Sequence, residues 1–150
     1  MVAHLPSTIF HDPSLISALL NETKSMKWII IGTGGFVGSI LRYVVSGWAG
    51  QFGGSYSLPI GTITVNVLGS LLIGLLFGLS DLRGWFSPEL RLLIFVGFLG
   101  GFTTFSTFSL DTLHYLRDGQ WWQGLSHVIL HLFLCISAVV GGFLLSKTLV

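Results

Sequence analysis

The chain has 150 residues, of which 51% are hydrophobic and only 9% charged, with 20 glycines and a mean hydropathy of +0.82. Soluble domains carry about 25% charged residues, so seven Lys and Arg with six Asp and Glu cannot cover a water-facing surface. A net charge of +1 on scattered basic residues excludes a nucleic-acid-binding face, and the single Cys135 excludes an intrachain disulfide or a cysteine-based zinc site.

Residues 1–26 read as a polar extension, with a short surface helix expected over Pro13–Leu20. The extension has neither the cationic start nor the long apolar stretch of a signal peptide. Met26-Lys27-Trp28 followed by Ile29-Ile30-Ile31 reads as the start of the membrane part. About 20 apolar residues cross the hydrocarbon core as a helix. Four segments meet that length: 27–49, 60–80, 89–115 and 122–146. Between Trp28 and Ser80 the only charge is Arg42, and residues 92–110 and 119–146 carry none. Pro59 and Pro88 stand where a helix's first turn tolerates a missing N–H. Trp28, Trp48, Trp85, Trp121 and Trp122 all fall at the edges of these segments, as indoles in the headgroup layer do. The predicted fold is therefore an all-α integral membrane protein, with residues 27–150 forming one domain of four transmembrane helices.

The helices carry small residues four apart: Gly34 and Gly38; Ser70, Gly74 and Gly78; Gly97 and Gly101. Such faces allow close helix approach, within one subunit or between two. Lys24, Lys27, Arg83, Arg91 and Lys147 share one side by odd–even counting, which by the positive-inside rule places both termini in the cytoplasm.

In the first span, Gly32-Thr33-Gly34-Gly35-Phe36-Val37-Gly38 imitates a dinucleotide loop. It lacks the preceding strand and the downstream acid that such a loop needs. Ser126, His127 and His131 suggest no hydrolase, because no third member orients a nucleophile. Arg42 and Asp111 are the ionisable residues near membrane depth, fit either for function or for an interfacial role.

The third span is the unusual one. Gly100-Gly101-Phe102-Thr103-Thr104-Phe105-Ser106-Thr107-Phe108 places adjacent glycines and several hydroxyls at mid-depth, a poor helix interior. A break there would free backbone carbonyls, hard ligands suited to a cation such as Na⁺; an unbroken helix with back-bonded hydroxyls is the alternative. Phe105 and Phe108 are three apart, and their electropositive ring edges beside Thr107 would hold a small anion without a full positive charge. Thr62 and Asn66 add a hydroxyl and an amide on one face of the second span. His127, His131 and Cys135 form a polar stripe on the fourth.

These residues carry a family resemblance. Gly34-Gly35-Phe36-Val37-Gly38-Ser39-Ile40-Leu41-Arg42-Tyr43, Gly61-Thr62-Ile63-Thr64-Val65-Asn66-Val67-Leu68-Gly69 and Gly97 through Phe108 resemble the Fluc (CrcB-type) fluoride channels, over about 27–146. The resemblance implies a dual-topology antiparallel homodimer with two fluoride pathways at its interface. It implies a structural Na⁺ held by the main-chain carbonyls of Gly100 and Thr103. Asn66, Phe105, Phe108, Thr62, Thr107, His131 and Cys135 would line the pathway, with Arg42 and Asp111 at its aqueous ends. It implies passive fluoride export across the cell membrane, with no enzymatic turnover. His131 and Cys135 stand where the family pattern has small hydroxyl or amide residues. A small four-span proton-coupled antiporter is the other reading, although the first span offers Arg42 where such a protein needs a carboxylate.

Overall fold

The computed structural model describes residues 13–53 and 58–149, and their side chains except those of residues 13–23. Residues 1–12 of the expected extension and residues 54–57 of the first connection lie outside the described residues. Among those described, every element is helical. Helix α1 spans Pro13–Gly50 and passes into a 3₁₀ turn at Gln51–Gly53. Helix α2 spans Ile60–Arg83. The third segment begins with α3 (Pro88–Arg91), continues as a π-helix over Leu92–Leu99, and tightens again in α4 (Gly100–Phe102). Two residues later α5 starts and runs Phe105–Arg117, and α6 spans Trp121–Thr148.

Four stretches are long and apolar enough to cross a bilayer: Lys24–Gly53, Ile60–Arg83, Pro88–Arg117 and Trp121–Thr148. The four segments expected from hydropathy fall within them. In the first and fourth stretches only 11% of the most apolar window is buried, and Phe36, Tyr43, Phe133 and Ile136 face outward. A surface this apolar is what lipid covers, since helices satisfy their own backbone there. The chain is a multi-pass membrane protein.

The helix ends follow from local chemistry. Gly84 closes α2 in the left-handed conformation (φ 62°), its N–H donating to the Ser80 carbonyl. The Ser87 side chain accepts from the Leu90 N–H, and Pro88 takes the first position, where no N–H is required. Gly119 (φ 73°) lets the chain reverse between α5 and α6.

Two features depart from the expectations. Pro13–Leu20 is not a separate surface helix but the opening of α1, because no helix breaker stands between Pro13 and Gly32. The eight-residue π-helix was not foreseen. Its sequence, Leu92-Leu93-Ile94-Phe95-Val96-Gly97-Phe98-Leu99, carries no polar marker of altered winding, and such stretches seldom exceed one turn.

The small-residue faces are used within the subunit. A Cβ on Gly38 would meet the carbonyl of Phe98 and the amide of Phe102; one on Gly97 would meet the carbonyl of Ile31; one on Gly101, that of Gly35. The first and third spans thus interlock glycine against backbone. The second and fourth do the same, through Gly74 against the Val139 carbonyl and Gly142 against that of Leu71. These faces were equally suited to joining two subunits; here they are occupied by neighbours in the same chain.

Candidate functional site

The apolar core is thin, and a polar seam runs through it. Thr62, Asn66, Thr104, His127 and His131 are all at most 8% exposed. Their order is set by two residues of the third span. Thr103 and Thr104 are extended (φ −86°, ψ 160° and φ −150°, ψ 117°), so α5 restarts with a new N-terminus inside the protein. Thr104 caps that terminus, its hydroxyl accepting from the Thr107 N–H at 3.2 Å. Gly100 and Gly101, the expected weak point, remain helical. The β-branched threonines that follow adopt the extended backbone they favour.

Extended backbone at this depth leaves peptide groups to satisfy. Asn66 supplies the answer from α2. Its Oδ1 accepts from the Thr104 N–H at 2.7 Å and its Nδ2 donates to the Thr104 carbonyl at 2.9 Å. One side chain thereby satisfies both polar groups of a single residue, as a neighbouring strand would. The same Nδ2 lies 2.9 Å from His131 Nε2.

Two cavities flank Thr104. The first, about 340 Å³, is lined by Asn66, Thr103, Phe105, Phe108, His131 and Cys135, with Gly100 also on its wall. The second, about 330 Å³, is lined by Arg42, Thr62, Thr104, Ser106 and Thr107 among others. The expected site residues are therefore split between two compartments with Thr104 on the wall of both. Asp111 lies in neither; its Oδ2 accepts from the Thr62 hydroxyl at 2.8 Å, and it borders a smaller polar cleft with His114 and Gln120.

Phe105 and Phe108 have ring centroids 5.4 Å apart but unlike surroundings. Phe108 is 8% exposed and packs against His127 (5.1 Å) and His131 (4.6 Å), whereas Phe105 is 75% exposed on the outer face. Arg42 Nη1 reaches the Thr103 carbonyl at 3.4 Å, a long contact. The helical partner of the Gly100 carbonyl is also withdrawn, since the Thr104 amide turns to Asn66. The Thr107 amide likewise turns to the Thr104 hydroxyl, so the carbonyls of Gly100 and Thr103 both lose the amide that would pair with them in a continuous helix.

Two residues were left out of the expected set. Thr104 carries no motif beyond the hydroxyl-rich run around it. His127, fully buried, was visible in the stripe with His131 but had no visible partner; the structure supplies one in Thr112 Oγ1, 3.2 Å from its Nδ1.

Four apolar spans and a buried amide stitching extended backbone define a small polytopic membrane protein with a buried polar seam in its midsection. Residues 29–143 match the family of CrcB-like, camphor-resistance proteins (CrcB). The chain belongs to that family. It is 47% identical over 124 residues to the fluoride-specific ion channel FluC of Leptospira interrogans, 82% of this chain and 89% of that one. It is 42% identical over 121 residues to the FluC of Sulfurovum sp., covering 81% and 94%, and 40% identical over 136 residues to that of Saccharophagus degradans, covering 90% and 100%.

Proposed function

We propose that this chain is a fluoride-selective channel that lets fluoride leave the cell passively and so protects it from the ion. The observation that carries this reading is the relatives at 40–47% identity, each named a fluoride-specific ion channel and each matched over 89–100% of its length. The geometry accords with it. The cavity beside Phe108 is lined by aromatic rings, an amide, one imidazole and hydroxyl-bearing residues rather than a formal cation. A unit positive charge 4 Å from the anion would hold it by about 4 kcal/mol at an effective dielectric of 20, roughly a thousandfold slower release. Weaker dipoles bind without trapping.

The working unit in this reading is an antiparallel homodimer inserted in both orientations in the cell membrane. Phe105, 75% exposed on a single chain, is then covered by the second copy. Na⁺ is the fitting guest for the released carbonyls of Gly100 and Thr103, which are neutral, hard oxygen donors. Hard cations such as Ca²⁺ take about six to eight oxygen ligands, more than the two carbonyls of one chain; the same two from a second copy would bring the number to four. The cation would supply only fixed positive potential at the dimer centre; Gly100 and Thr103 would hold it. Fluoride would pass through the cavity at Asn66, Phe105, Phe108, His131 and Cys135, with Thr62 and Thr107 in the adjoining compartment and Arg42 and Asp111 toward the water.

The test is fluoride efflux from liposomes, read with an ion-selective electrode. Rapid efflux without a proton gradient, with chloride excluded, is the expected result. Slow exchange that requires a proton gradient points to the antiporter instead, and absence of flux removes the channel reading. Phe108→Ile is expected to cut flux on the order of tenfold, the effect of losing about 1.4 kcal/mol of ring interaction, with assembly unchanged on a sizing column. Wild-type flux in that variant returns Phe108 to packing alone.

A further inference from the structure

We infer that Gly69 is a positioning residue for the cation site: its bare backbone on α2 seats the methyl group of Thr103, and that seat fixes the direction of the Thr103 carbonyl. The inference rests on the reading that Gly100 and Thr103 hold a cation, and it names what keeps one of those two ligands in place.

The Thr103 side chain has little freedom to turn. Its hydroxyl donates to the Leu99 carbonyl at 2.9 Å, and its own N–H reaches the same oxygen at 3.0 Å. In a threonine the hydroxyl and the methyl turn about one torsion, so fixing Oγ1 also fixes Cγ2. That methyl lies against α2 at the buried Gly69. A Cβ on Gly69 would overlap Cγ2, whereas its next neighbours, Phe102 Cδ1 at 3.4 Å and Thr103 Cβ at 3.7 Å, stand at ordinary contact distance. The overlap is with one methyl group.

The same peptide is held from its other end. The Thr103 carbonyl and the Thr104 N–H belong to one trans peptide, so they point in opposite directions. Asn66 Oδ1 takes that N–H at 2.7 Å. Asn66 and Gly69 are three residues apart and share a face of α2. One helix face thus grips the amide of residue 104 and the methyl of residue 103, and it leaves the carbonyl directed away from Asn66. A carbonyl oxygen has two lone pairs, and the long contact from Arg42 Nη1 at 3.4 Å takes one of them. Gly69, Gly100 and Thr103 border the same cavity.

A ligand already locked by packing spares the ordering cost that a mobile one imposes on binding. Alanine at 69 forces a choice. Either Thr103 turns its methyl aside and gives up the Leu99 bond, or the third span moves off α2 and the Thr104 amide loosens from Asn66. Both outcomes release the carbonyl from its direction.

The experiment measures thermal unfolding of the full-length protein in detergent across a Na⁺ titration, with N-methylglucamine as the replacing cation, and fluoride efflux from liposomes on the same preparations. A ligand that binds only the folded state raises the midpoint as its concentration passes its Kd. The wild-type midpoint is expected to rise with Na⁺. Gly69→Ala is expected to need at least about tenfold more Na⁺ for the same rise, an effect within the usual cost of overpacking. Thr103→Ser deletes the methyl and keeps the hydroxyl and the carbonyl. Combined with Gly69→Ala, it is expected to restore the Na⁺ requirement to within about threefold of Thr103→Ser alone, the coupling expected of two groups in contact. A glycine needed only for packing would lower the midpoint equally at every Na⁺ concentration. That result, or a double variant no better than Gly69→Ala, overturns the assignment. Where Gly69→Ala gives no folded protein, a folded and Na⁺-responsive double variant is the expected rescue, and a double variant that also fails to fold overturns the assignment. A wild-type midpoint indifferent to Na⁺ removes the cation reading and this inference with it, while the efflux measurement shows separately whether the channel reading stands.

Discussion

Asn66→Asp is expected to lose fluoride flux by about 100-fold or more, because a substitution isosteric to within one atom overturns two of the three hydrogen bonds that Asn66 makes. The carboxylate still accepts from the Thr104 N–H, but its second oxygen now faces the Thr104 carbonyl, where Nδ2 donates at 2.9 Å. Two acceptors cannot share that contact, and a buried unpaired charge is costly. The donor to His131 Nε2 is lost as well, so the imidazole must supply the proton of that contact itself. A buried carbonyl left without its donor costs about 1–3 kcal/mol, and more beside a charge, so the loss of the contact to Thr104 alone reaches the order of 100-fold. Added negative charge at the cavity wall acts in the same direction. Liposome efflux on a monodisperse preparation is the measurement. Wild-type flux would show that the Asn66 amide is no part of the path.

Gly38→Val is expected to destabilise the subunit by about 1–3 kcal/mol, the usual cost of overpacking, and with it to disturb the site. A side chain at Gly38 runs into the carbonyl of Phe98 and the amide of Phe102, backbone atoms that cannot rotate away. Phe102 directly precedes the extended Thr103 and Thr104, so relief of the clash displaces the residues that Asn66 holds. Gly47→Val in the same helix is the control, since no described residue lies within 4 Å of a Cβ there. Thermal unfolding in detergent should separate the two variants by several degrees, with only the Gly38 variant losing flux. Equal midpoints would mean that the first and third spans are free to slide apart at no cost.

Much of the fold was legible because a membrane imposes few solutions. Spans 27–49, 60–80, 89–115 and 122–146 follow from the absence of charge, and their ends from prolines and tryptophans whose preferences are physical. Asn66, Thr62 and the polar stripe of α6 were legible for the same reason: a polar residue on an apolar helix needs a partner. What partner each takes was not. That Thr62 bonds Asp111 across 49 positions, or that Asn66 embraces Thr104 across 38, depends on helix rotation, which hydropathy does not encode. The π-helix over Leu92–Leu99 left no trace, since eight apolar residues satisfy α and π winding equally in composition. The glycine repeats announced close packing but not with whom; Gly34 and Gly38 meet the third span and Gly74 meets α6. The division into two compartments at Thr104 was beyond sequence reasoning, because a cavity is a property of several helices together.

The hydrogen bonds between Asn66 and Thr104 also bear on the order in which the protein is built. A span with two extended residues at its centre is a poor passenger in hydrocarbon, where each unsatisfied peptide group costs several kcal/mol. Its remedy lies on α2, which precedes it in the chain and is joined to it by the short connection from Gly84 to Ser87. A ribosome therefore delivers the amide before the peptide that needs it. Reversing the two spans in the sequence would leave the same contacts available at the end but would strand the third span while it waited.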